Sequence, residues 1–224
     1  MDYLSHPAKT KAELRRLLTT CRAVTVHQLR RLELEQAAEW LQLPRATYSC
    51  RTRATQQEST RNLEFVALEE EVLRHAPRDL MHLAGTAEAY IWHRYGAGRE
   101  TGAHRWSLVE LAGHSRDRLP DAEILRRPGR RRDSAVEFDA GYAPAKARLK
   151  AQAFAGQGYN HLLWATTVQG RVKSLAEDFS VLYSLGKLPN IRRVDVIWAN
   201  IWEDAPYRAR PRCHKAVHIS RVFD

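Results

Sequence analysis

The chain has few of the residues that build stapled, zinc-clustered or membrane-spanning proteins. Its 224 residues include only three cysteines, Cys21, Cys50 and Cys213, which are widely spaced and form no CxxC pair. An odd number at such spacing argues against a disulfide framework or a zinc finger and leaves reduced, structural thiols. No apolar run reaches the eighteen residues of a membrane span. The N-terminus, MDYLSHPAKTKAEL, has no apolar signal core, so the protein is expected to stay in the cytoplasm. There is no GxSxG elbow and no GxGxxG fingerprint, and the glycine-rich stretch 96–102 lacks the ending of a P-loop. Lysine is scarce too: there are seven, and none between Lys11 and Lys146.

What the chain does have is positive charge. Lysine and arginine total 36 against 26 acidic residues, a formal net charge of +10, and 29 of the cations are arginine. The preference for arginine over lysine is what a GC-rich genome would leave by itself. The net excess is not, and it favours a polyanionic partner, most simply nucleic acid. Arginine's planar fork of donors suits phosphate. With 44% hydrophobic and 28% charged residues, the composition is that of a globular protein able to bury a real core.

Apolar periodicity predicts a helix over 7–21, with Leu14, Leu17 and Leu18 on one face. A second helix over 26–33 is capped by Thr25, and a third segment, 34–43, ends at Pro44. Two candidate strands, 47–54 and 62–68, flank a polar tip. Three short helices followed by a hairpin is the layout of a winged helix. In that layout a helix around 36–48 enters the major groove, while Arg45, Arg51, Arg53 and Arg61 meet phosphates or a groove. The competing reading is a helical packing domain with solvated arginines. A polar connection and Pro77 place a boundary that divides the chain into 1–76 and 77–224. The second part reads as a long amphipathic helix over 79–95, a strand or short helix over 105–112, a strand hairpin, and helices over 144–157 and 170–185. Strands at 161–166, 194–201 and 216–222 alternate with these helices. This is an α/β arrangement, α+β overall, with a mixed sheet flanked by helices.

The chemistry concentrates in residues 119–150, LPDAEILRRPGRRRDSAVEFDAGYAPAKARLK. Asp121 leads a short apolar run, an Arg-rich turn spans 126–132, and the second run carries Glu137 and Asp139. Strand periodicity puts Glu137 and Asp139 on one face, and a hairpin brings Asp121 towards it. Three converging carboxylates are costly without a cation, and hard oxygen ligands suit Mg²⁺ or Mn²⁺.

Pro120-Asp121, the hairpin, and Glu137-Phe138-Asp139 resemble the PD-(D/E)xK nuclease core. More narrowly, Trp106–Glu110, then PDA, VEFDAGY and a basic helix resemble the replication-relaxation family of mobile-element proteins, which join a winged helix to a nuclease-like half. The resemblance implies a restriction-endonuclease-like sheet with Asp121 and Glu137 as metal ligands and Asp139 assisting. Glu110 would be an upstream acidic ligand. The family pattern wants lysine where this chain has Asp139, and the following helix offers Lys146 and Lys150, four apart on one face. Arg130, Arg131 and Arg132 of the turn would lie against DNA.

Two readings follow. One is an Mg²⁺- or Mn²⁺-dependent endonuclease acting on double-stranded or branched DNA in replication, recombination or mobile-element maintenance. The other is a catalytically inactive initiator, regulator or architectural factor that uses the nuclease fold for DNA binding or homodimerisation. An RNA-binding or scaffold protein is supported by charge alone.

Overall fold

The structure is a computed structural model and describes residues 6–52, 60–96, 105–109, 118–125, 133–204 and 217–223. It is a mixed α+β fold with a three-stranded sheet, a six-stranded mixed sheet and helices around them.

The first helix, α1 (Pro7–Cys21), buries Leu14, Leu17, Leu18 and Cys21. A short strand, β1 (Ala23–Thr25), follows between the two predicted helices. Thr25 then caps α2 (Val26–Arg31). Its hydroxyl accepts from the Gln28 backbone N–H while the Gln28 side chain accepts from the Thr25 N–H, a reciprocal capping box. The third helix, α3 (Glu35–Trp40), is shorter than expected, and the helix over 36–48 does not form. Gln42 adopts φ +49° and Pro44 follows, so the chain leaves the helix and enters β2 (Arg45–Arg51). Strand β3 (Thr60–Ala67) pairs antiparallel with β2 and with β1, giving the order β1-β3-β2.

A single turn, α4 (Glu70–Leu73), leads to the long helix α5 (Pro77–Tyr95), which opens with proline at its first position. Strands β4 (Arg105–Leu108), β5 (Ala122–Leu125) and β6 (Ser134–Asp139) then form an antiparallel meander. Helix α6 (Pro144–Gly156) returns the chain to β7 (His161–Thr166), parallel to β6. Helix α7 (Arg171–Ser184) does the same for β8 (Arg193–Trp198), and β9 (His218–Val222) closes the far edge antiparallel to β8. Strands β6 and β7 are buried at every position, as expected of central strands covered on both faces.

Alternation divides the core. Val136, Phe138, Leu163 and Ala165 face Ala89 of α5. Ala135, Leu162, Trp164 and Val194 cluster with Ala151, Phe154 and Phe179 of α6 and α7. Glu137 lies two positions from Ala135 and so points to the α6–α7 side. Helix α5 is shared. Leu80, Met81 and Ala84 belong to the same buried cluster as Leu63 and Phe65 of β3, and Ala87, Tyr90 and Ile91 pack with the leucines of α1.

Candidate active site

The β5–β6 register sets Ala122 against Val136, and one step further places Asp121 beside Glu137. The Asp121 backbone N–H donates to the Val136 carbonyl at 2.9 Å, and Asp121 Oδ2 accepts from the Phe138 N–H at 2.8 Å. The carboxylate is thereby fixed at the strand start. Its other oxygen, Oδ1, lies 3.8 Å from His82 Nδ1 of α5.

Glu137 is fully buried. Its Oε1 accepts from Lys150 Nζ at 2.6 Å and from the Tyr142 hydroxyl at 2.9 Å. Lys150 stands on α6 with only 4% of its side chain exposed. Glu137 Oε2 is buried as well and has no hydrogen-bond partner among the described residues. Burial raises the Glu137 pKa well above the ordinary carboxylate range. The neighbouring Asp121 charge adds to the rise, and Lys150 and Tyr142 offset part of it.

Asp139 shares the face of Glu137 but has different partners. Its Oδ1 accepts from the Gly141 N–H at 2.7 Å and from the Tyr142 N–H, fixing the turn in which Gly141 takes φ +92°. Its Oδ2 accepts from Trp164 Nε1 at 3.3 Å and pairs with Arg171 Nη1 at 3.2 Å. This aspartate shapes the β6–α6 turn. Lys146 sits 4.8 Å above the Tyr142 ring, on the cleft side of α6.

The structure therefore brings Asp121, Glu137 and Lys150 together, with Lys146 one helical turn away. Arg51 and Arg61 are exposed at the distal end of the β2–β3 hairpin, whereas Arg45 lies 3.7 Å from Glu64 across the strands. Arg53, Glu110, Arg130, Arg131 and Arg132 lie outside the described residues. Two participants, Tyr142 and His82, went unassigned in the sequence. Tyr142 had a readable signal: Asp139-Ala140-Gly141 is a turn sequence, and the residue after it is carried back over the strand end. His82 had none, because only the fold brings α5 to Asp121.

A cleft of about 470 Å³ opens beside these groups, between β2, the start of α5 and the β6–α6 turn. His82 and Tyr142, which touch the two carboxylates, both line it.

No protein-family model, curated protein or solved structure matches this chain. The site must be read from its own chemistry.

Among the described residues no group of three or more His, Cys, Asp or Glu side chains is arranged around a metal position. Two carboxylates are nonetheless a sufficient protein contribution for Mg²⁺, which keeps several waters. The buried, unpartnered Glu137 Oε2 beside Asp121 is a hard oxygen donor in need of a cation or a proton. The donor set fits Mg²⁺ or Mn²⁺.

A second polar network lies at the opposite end of the same strands. The Ser134 hydroxyl is 2.9 Å from His161 Nδ1, and His161 Nε2 is 2.9 Å from Asp195 Oδ2. His218 Nε2 sits 3.1 Å from Asp195 Oδ1, and Arg193 Nε pairs with Asp195 at 2.8 Å. Ser134 is only 2% exposed, so this network ties β6, β7, β8 and β9 together and presents no accessible nucleophile.

Proposed function

We propose that the protein is a metal-dependent DNA endonuclease whose N-terminal helices and hairpin act as a winged helix. The observation that carries this reading is the buried Glu137 Oε2, left without a partner beside Asp121 while Lys150 and Tyr142 hold the other oxygen. A mixed sheet flanked by helices supports it, because the PD-(D/E)xK resemblance implies such a sheet with an aspartate at the start of a strand hairpin and a glutamate on its second strand. A net charge of +10 supports DNA as the substrate, in replication, recombination or mobile-element maintenance.

In this reading Asp121 and Glu137 would hold Mg²⁺ or Mn²⁺, which would supply water activation and charge stabilisation at the leaving oxygen of a phosphodiester. Lys150 and Tyr142 orient Glu137 so that Oε2 is the donor presented. The Phe138 N–H does the same for Asp121. Lys146, at the cleft, meets the substrate's phosphate.

One observation favours the second reading, in which the same body binds DNA or dimerises without cutting it. The Lys150 amine is buried against Glu137 and cannot reach a scissile phosphate until that ion pair opens. The deciding experiment incubates pure protein with supercoiled plasmid and branched DNA in Mg²⁺, Mn²⁺ or EDTA, beside Asp121→Asn and Glu137→Gln. Metal-dependent nicking that disappears in both variants is expected. Tight binding without cleavage under any metal selects the second reading, and no binding at all sinks both.

A further inference from the structure

The cleft beside the carboxylates has a lining of one sign. Arg51 reaches it from β2, Arg78 from the first turn of α5 and Lys146 from α6; no aspartate or glutamate is among its described lining residues. Arg51 and Arg78 are exposed, and Lys146 is half-buried over Tyr142. Between the cations lie His82, Met81 and Tyr142, an imidazole and two apolar surfaces. The three cations come from three separate elements, so the cleft is cationic by convergence of the fold, not by a run of basic sequence.

Its size selects among polyanions. A volume of about 470 Å³ falls at the lower end of small-ligand pockets, which run from about 300 to 1,000 Å³. A volume of that size is that of a small-ligand site and does not enclose a duplex. A cationic groove that also offers ring surfaces, here the half-buried Tyr142 and His82, is the chemistry that grips a single strand, following the backbone with charge and the bases by stacking. The cleft also leads to the right place: His82 lies 3.8 Å from Asp121, and the Tyr142 hydroxyl donates to Glu137.

We infer that this cleft binds a single-stranded DNA segment, a flap or unpaired arm, through Arg51, Arg78 and Lys146, and delivers it to the Asp121–Glu137 pair. The inference rests on the DNA-nuclease reading above and narrows its substrate from DNA in general to DNA with an unpaired strand.

The test is binding, not cutting. Full-length protein in EDTA is titrated by fluorescence anisotropy with a labelled oligo-dT and with a duplex of equal length, across a salt series. The Arg51→Ala/Arg78→Ala variant is compared with Lys187→Ala/Arg192→Ala, which removes the same charge near the opposite ends of the strands. All four positions are exposed, so the fold is retained, and circular dichroism verifies it. The cleft variant should bind oligo-dT about tenfold more weakly. The slope of its log K against log salt should be shallower by about 1.4, or about 0.7 for each phosphate that the protein no longer neutralises. Its duplex binding should change no more than that of the control variant. Equal weakening of the two variants on oligo-dT, or equal weakening on duplex and single strand, would overturn the assignment. Plasmid nicking with no effect of the cleft variant on single-strand binding sinks this inference alone. A selective single-strand defect in a protein that never nicks sinks the nuclease reading and leaves the groove standing.

Discussion

Replacing Lys150 with methionine tests the centre of the site without touching a carboxylate. Methionine keeps most of the apolar stem and removes the amine, which lies 2.6 Å from Glu137 and over the Tyr142 and Phe154 rings at 5.6 and 5.8 Å. With Lys150 present, the amine offsets part of the pull that burial and the Asp121 charge exert on a Glu137 proton, so the parent chain's stability depends less on pH than the variant's. Without the amine, Glu137 is a fully buried carboxylate facing Asp121, and burial and that charge force it to take up a proton on folding. The unfolded chain, with an ordinary glutamate near 4.3, does not. The folded state then binds the extra proton, so stability falls as pH rises, by about 1.4 kcal/mol per pH unit. The predicted destabilisation at pH 7 is about 3–5 kcal/mol, the range for breaking a buried ion pair, and it is smaller at pH 5. Urea unfolding in EDTA at the two pH values measures it, and adding Glu137→Leu should recover most of the stability, because both partners are then apolar. A destabilisation of the same size at pH 5 and pH 7 would refute the reasoning.

Three further expectations are independent of that pair. Gly85→Ala would set a Cβ 2.2–2.4 Å from the Phe138 ring and should lower stability by about 1–3 kcal/mol in the same unfolding assay. Thr25→Ala removes the capping box and the 2.7 Å bond from its hydroxyl to the Ile201 carbonyl, and should cost about 1–2 kcal/mol by thermal unfolding. At Asp195, burial raises the carboxyl's pKa, but bonds from His161 and His218 outweigh it and hold the group well below the usual range. Stability from Asp195 is therefore present above about pH 4 and declines as pH falls further, so Asp195→Asn should flatten the acid-unfolding curve while lowering stability at pH 7. Because a cation at Glu137 displaces a proton, the rise in melting temperature on adding Mg²⁺ should grow from pH 6 to pH 8 and vanish in Asp121→Asn, as scanning calorimetry would record.

Much of the fold was legible where local signals agreed. Pro7, Pro77 and Pro144 stand at helix starts, Thr25 caps where its spacing to Gln28 suggests, and the 122–125 and 135–139 runs pair as a hairpin. Short elements were harder to read. β1 is three residues long and exists only because β3 offers its edge, so no period could reveal it. The segment 36–48 looked helical from its alanines and Trp40, and a left-handed residue and a proline override that pattern. At the site, the strand period gave the shared face of Glu137 and Asp139 but not their partners. Which of Lys146 and Lys150 meets Glu137 depends on the roll of α6 over the sheet. The partners of Asp139 come from β7 and α7, more than twenty residues downstream.

Helix α5 touches both sheets and the N-terminal helices. Glu88 holds Arg31 at 2.5 Å and Gln28 at 2.8 Å, Gly85 lets Phe138 lie against the backbone, His82 meets Asp121, and the Trp92 ring lies against His218. A chain built this way does not come apart into exchangeable modules. Cutting it before Pro77 would strip β3 of its cover on one side and leave Glu88 without Arg31 on the other, so neither piece could be transplanted into another protein and keep its shape. Ancestry would have to change the two halves together, each substitution on one face of α5 answered by another across it.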